Sequence, residues 1–97
     1  MTPAQREAAI DLPIGEMLAV SERVIVAPAI GTFRRLEGDG QRQAGDLIAR
    51  GDAIGVVQSL GTATPVRALF GGLLVEFLAC EGERVRLGQA VAWLRPA

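Results

Sequence analysis

The sequence predicts an all-β sandwich or barrel made of two related halves. Three observations carry this: many short β-branched runs separated by glycine and proline turns, a hairpin pattern at the centre, and a glycine spacing that recurs. The hairpin is Val56-Val57-Gln58-Ser59-Leu60-Gly61-Thr62-Ala63-Thr64-Pro65-Val66-Arg67-Ala68, read as two antiparallel strands joined at Leu60-Gly61-Thr62.

Residues 1–22 are expected to form a tail or lead-in segment, and residues 23–97 the barrel domain. In the tail, Thr2 and Pro3 suit the start of a short helix over Pro3 to Ile10, and Met17-Leu18-Ala19-Val20 suits a short strand. Regular patterning begins at Arg23-Val24-Ile25-Val26-Ala27, read as a buried strand. A turn at Gly31, a strand over Thr32 to Leu36 and a polar loop over Glu37 to Gln41 follow. Gly45 and Gly51 then bracket a two- or three-residue strand.

Beyond the hairpin the order repeats: a strand over Val66 to Ala68, a turn at Gly71-Gly72, and a strand over Leu73 to Leu78 hydrophobic enough for burial on most of both faces. A second glycine-bracketed unit spans Gly82 to Gly88, and Ala92-Trp93-Leu94 closes the pattern. Gly45 pairs with Gly82, Gly51 with Gly88, Ile54 with Val91 and Val57 with Leu94 at an offset of 37. Upstream, Ala27 pairs with Ala68 and Gly31 with Gly72 at an offset of 41, which places an insertion in the first half near Glu37 to Gln41. The spacing predicts a quasi-twofold barrel.

Composition removes several function classes. The net charge is -1 and only four residues are aromatic, so nothing favours nucleic acid. No apolar run approaches the roughly 20 residues that span a bilayer, and no signal-like segment opens the chain, so a cytoplasmic protein without a membrane partner is expected. Cys80 is the sole cysteine. It has no histidine or lysine beside it, and an inert core position is expected. Histidine, lysine and tyrosine are all absent, and every one of the ten basic residues is arginine. That leaves few groups for catalysis and no donor set for a metal, so an enzyme is disfavoured. Asp39, Asp46 and Asp52 are read as turn residues.

The ordered set Ala27-Pro28-Ala29-Ile30-Gly31-Thr32-Phe33, Gly45 to Ile54, Gly71-Gly72, Val75, Glu81-Gly82, Val85 and Gly88-Gln89-Ala90-Val91 resembles the biotinyl/lipoyl attachment domain. Its closest likeness is to the biotin carboxyl carrier branch of the acyl-CoA carboxylases. The resemblance covers roughly residues 24–96. It implies a flattened barrel of two four-stranded antiparallel sheets with the central hairpin exposed at one end.

The chain departs from the family where the family does its chemistry. Counting without gaps, the family's E-A-M-K-M falls on Gln58-Ser59-Leu60-Gly61-Thr62, so Gly61 takes the place of the attachment lysine. With no lysine in the chain, biotin or lipoate held by an amide to lysine is excluded, and no cofactor is expected. Ile30, Leu60, Leu69 and Phe70 sit near turns and are expected to fold back into the core; the alternative is an apolar patch shared by Ile30 and Leu60.

Two functions are carried forward. One is a non-biotinylated carrier-like accessory or interaction module whose protein partner is a carboxylase or another enzyme of an acyl or polyketide pathway. For it, Gln58, Ser59, Leu60, Gly61, Thr62 and Ile30 form the candidate surface. The other is a barrel repurposed to bind or transform a small molecule. The sequence does not set the oligomeric state.

Overall fold

The computed structural model describes residues 23–97; the helix and strand expected within residues 1–22 lie outside the described residues. Eight strands form in order: β1 (Arg23–Val26), β2 (Gly31–Arg35), β3 (Leu47–Ile48), β4 (Ala53–Ser59), β5 (Thr62–Arg67), β6 (Gly72–Phe77), β7 (Arg84–Val85) and β8 (Ala90–Arg95). A single 3-10 turn over Gly38–Gly40 interrupts the pattern inside the expected polar loop, and Asp39 lies in it. No helix among the described residues is long and apolar enough to cross a membrane.

The strands pair into two four-stranded antiparallel sheets, ordered β1-β8-β6-β3 and β5-β4-β2-β7. The flattened barrel expected from the sequence is thus the observed architecture. Replacing each strand by its repeat mate turns the first order into the second, so the internal repeat exchanges the two sheets.

The exchange holds residue by residue. Gly51 N–H donates to the Ala68 carbonyl at 2.7 Å, and Gly88 N–H donates to the Ala27 carbonyl at 2.8 Å. Gly45 N–H reaches the Leu74 carbonyl and Gly82 N–H the Phe33 carbonyl, both at 2.8 Å. Side chains repeat as well: Asp46 Oδ2 accepts from Gln43 N–H at 2.9 Å, as Glu83 Oε1 does from Cys80 N–H at 2.8 Å. Asp52 Oδ2 accepts from Ala49 N–H and Gln89 Oε1 from Arg86 N–H. Asp46 and Asp52 are therefore turn residues, holding backbone donors that no strand partner reaches.

Core positions come in mates for the same reason. Ile25 and Val66, Ala27 and Ala68, Phe33 and Leu74, Ile48 and Val85, Ile54 and Val91, and Val57 and Leu94 are all buried between the sheets. Each contributes inward-facing apolar area at the alternate positions of its strand. Two glycines make the close approach possible. A Cβ on Gly31 would stand 2.3 Å from the Gln58 carbonyl oxygen, and one on Gly72 would stand 2.6 Å from that of Arg95.

The halves differ in two places. β6 bulges between Leu74 and Glu76, whereas β2 runs regularly against β4. The loop after β2 is longer, and Arg35 closes over it: its guanidinium stacks on Phe77 at 4.1 Å and donates to the Arg42 carbonyl at 3.0 Å.

Several expectations are corrected. Only one face of β1 meets the core, so the alternation turns Val24 and Val26 outward and only Ile25 of the strand is buried. The strand over Leu73 to Leu78 alternates instead of burying both faces, with Leu73, Glu76 and Leu78 exposed. Gly72 belongs to β6 and not to the preceding turn, and Thr62 belongs to β5. Cys80 is exposed, because the inward position before it is filled by Ala79.

Candidate functional site

β4 and β5 pair in register from Val57↔Thr64 through Gln58↔Ala63 to Ser59↔Thr62, which leaves a two-residue turn of Leu60 and Gly61. Both turn residues have positive φ, +42° for Leu60 and +83° for Gly61. Two consecutive positive values are what a type I′ hairpin requires, because that turn matches the twist of the flanking strands. Glycine meets the condition without strain; leucine does not.

Leu60 is fully exposed, Ile30 is 59% exposed and Leu69 is exposed, so the expected return of these side chains to the core is corrected. Phe70 is the exception and packs partly against the core, with the Arg23 guanidinium 5.2 Å from its ring centre. Leu60 stays out because a two-residue turn projects its first side chain beyond the last strand pair, where no core is within reach.

β2 lies along the other side of β4, with Thr32↔Gln58 and Arg34↔Val56 in register. Ile30 lies just before β2, at the end where Thr32 pairs with Gln58, so it stands at the same pole of the barrel as the hairpin tip. The structure thus brings Gln58, Ser59, Leu60, Gly61 and Thr62 together, with Ile30 at the same end of the barrel. A shallow groove of about 460 Å³ runs below the tip, lined by Thr32, Arg34, Gln58, Ser59, Leu60 and Gly61 among others.

Sequence reasoning missed Thr32, Arg34 and Glu81 as part of this surface. The signal was present in the two-residue alternation of β2, which puts Thr32 and Arg34 on one face and Phe33 on the other. Arg34 Nε donates to Gln58 Oε1 at 3.3 Å, and its NH1 group forms an ion pair with Glu81 Oε2 at 3.1 Å. Glu81 Oε1 accepts the Arg35 backbone N–H at 2.7 Å. That backbone bond, and then the Arg34 side chain, hold the Glu81 carboxyl below its ordinary value.

Chemically the tip is sparse. Gly61 has no side chain, and Ser59 and Thr62 offer exposed hydroxyls with no histidine in the chain to activate them. Among the described residues no group of three or more acidic or cysteine side chains is placed to hold a metal ion. A second, apolar groove of about 250 Å³ lies at the seam of β1 and β5, lined by Val24, Val26, Pro28, Pro65 and Leu69 with Arg67.

No protein-family model matches the chain. A biotin carboxyl carrier protein of acetyl-CoA carboxylase from Porphyra purpurea is 27% identical over 70 residues, covering 69% of this chain and 45% of that protein. The chain therefore spans less than half of that relative. Among solved structures, a urea carboxylase from Kluyveromyces lactis is similar at 22% identity and a TM-score of 0.63, over 75% of this chain and 6% of that one. A single-chain, multi-domain long-chain acyl-CoA carboxylase is similar at 19% identity and a TM-score of 0.65, over 93% of this chain and 8% of that one. An aspartoacylase family protein from Mesorhizobium loti matches at 22% identity and a TM-score of 0.59, over 76% of this chain and 23% of that one. The chain shares its fold with segments of these larger proteins, and its sequence is similar to that of a biotin carboxyl carrier protein.

Proposed function

We propose that this chain is a carrier-like domain that bears no biotin and works as an accessory or interaction module. Its setting would be a cytoplasmic acyl-CoA carboxylase or a related acyl or polyketide pathway, with a carboxylase or biosynthetic enzyme as protein partner. One observation carries the reading. A hairpin at the pole of a carrier-type barrel ends in Leu60 and Gly61, in a chain that contains no lysine to hold a cofactor.

The sequence similarity to a carrier protein of acetyl-CoA carboxylase supports the choice of partner. The filled interior, where Phe33, Ile48, Ile54, Leu74 and Leu94 are fully buried, favours surface recognition over enclosure of a small molecule. The test is binding of the purified chain to recombinant acyl-CoA carboxylase subunits from the same organism, followed by calorimetry. Saturable binding to one subunit is the expected result; no binding to any of them would sink the reading.

A further inference from the structure

Resting on that reading, we propose that Leu60 and Ile30 are the anchors by which the hairpin pole seats in its protein partner, in an apolar pocket with a carboxylate on its rim. Three independent features of the pole converge on this.

The first is backbone strain without an internal return. Leu60 is the one non-glycine residue with positive φ among the described residues, in a turn where asparagine is the favoured residue at its position. Its side chain is nevertheless fully exposed and packs on none of the described residues. A large apolar group held out on a strained turn costs the isolated domain stability and solubility together, and contact with another surface is what recovers both.

The second is position. Ile30, 59% exposed, precedes the end of β2 that pairs with Gln58, so the pole offers two branched side chains rather than one. The third is charge. Arg34, held in place by Gln58 and Glu81, lines the groove at the tip. Arg84 sits across Thr32 from it and is exposed, so two cations and one carboxylate edge this face. A partner complementary to this surface presents an apolar pocket and negative charge beside it.

The experiment measures, for Leu60→Asn, both the melting temperature and the affinity for the carboxylase subunit that the wild type binds. Asparagine tolerates the turn conformation better than leucine, so the melting temperature should rise by about 4 °C while affinity falls at least tenfold. Arg34→Gln should slow association and flatten its salt dependence. Leu47→Asn, at an exposed leucine on β3 in the other sheet, should leave affinity unchanged. Wild-type affinity in Leu60→Asn would overturn the anchor assignment while leaving the interaction reading intact. A loss of affinity accompanied by a lower melting temperature would also overturn it, since a damaged turn would then explain the loss. Failure of the wild type to bind any carboxylase subunit would overturn both.

Discussion

Phe33 lies against the bare Cα of Gly55: a Cβ added there would stand 2.8 Å from Phe33 Cε1 and 2.6 Å from the Arg34 carbonyl oxygen. The repeat mate of Gly55 is Ala92, which does carry a Cβ. There the smaller Leu74 replaces Phe33, and the bulge in β6 interrupts the strand beside it. Gly55→Ala is therefore expected to destabilise the domain by about 1–3 kcal/mol, as overpacking against backbone does. Phe33→Leu combined with Gly55→Ala should recover part of that loss, since the two positions are in contact and couple. Denaturant unfolding of the two single variants and the double variant reads the coupling; strict additivity would refute it.

The paired turns predict which part of Asp52 matters. Its mate Gln89 makes the equivalent bond with a neutral amide oxygen, so the turn needs an acceptor and not a charge. Asp52→Asn should leave stability within about 0.5 kcal/mol, whereas Asp52→Ala should cost about 1 kcal/mol. Equal losses in the two variants would show that the Arg42 ion pair at 3.8 Å, and not the turn bond, is what Asp52 supplies.

Glu81 gives a pH dependence whose sign can be worked out. Its folded pKa lies below the ordinary 4.5, so its bonds to Arg35 N–H and Arg34 stabilise the fold above that value. The contribution is lost as pH falls through the lower folded pKa. NMR titration of the Glu81 carboxyl should find it below 4.5, and Arg34→Gln should raise it only part of the way, because the Arg35 backbone bond, the larger cause, remains. A full return to the ordinary value in that variant would reverse the ranking of the two causes.

At the tip, Gly61→Lys asks how much of a carrier has been lost. Open space surrounds the position, but its φ of +83° disfavours any side chain, so the melting temperature should drop by about 4–8 °C. With biotin ligase and biotin supplied, intact-mass spectrometry should find the variant unmodified, because Gln58, Leu60 and Thr62 differ from the family pattern as well. Efficient biotinylation would show that the lysine alone separates this tip from an acceptor.

Much of the fold was legible because the repeat is written in turns. Gly45, Gly51, Gly82 and Gly88 sit at positive φ, and their spacing marks where each short strand begins and ends. What stayed hidden depended on partners far away in sequence. Val24 and Val26 read as buried because β-branched runs usually are, yet only the packed sheets show that β1 meets the core with one face, that of Ile25. Cys80 and Ala79 are neighbours on opposite sides of the chain, and a one-residue difference decides which is inside. The bulge in β6 has no composition signal.

At the site, the turn itself was legible from Gly61, but the exposure of Leu60 was not. Leucine is a core residue by chemistry, and here its position in a two-residue turn overrides that preference. Arg34 and Glu81 are 47 residues apart in sequence, and only the pairing of β2 with β4 and β7 brings them to the same face.

The exchange of sheets has a mechanical consequence. The counterpart of the Val57↔Thr64 pair is Leu94↔Arg23, at the strand ends that the symmetry places across the barrel from the tip. A tag or surface linkage added beyond Arg95 would hold the barrel by its opposite pole. The hairpin would then face into solution, so immobilised binding measurements made that way should agree with those made on the free protein.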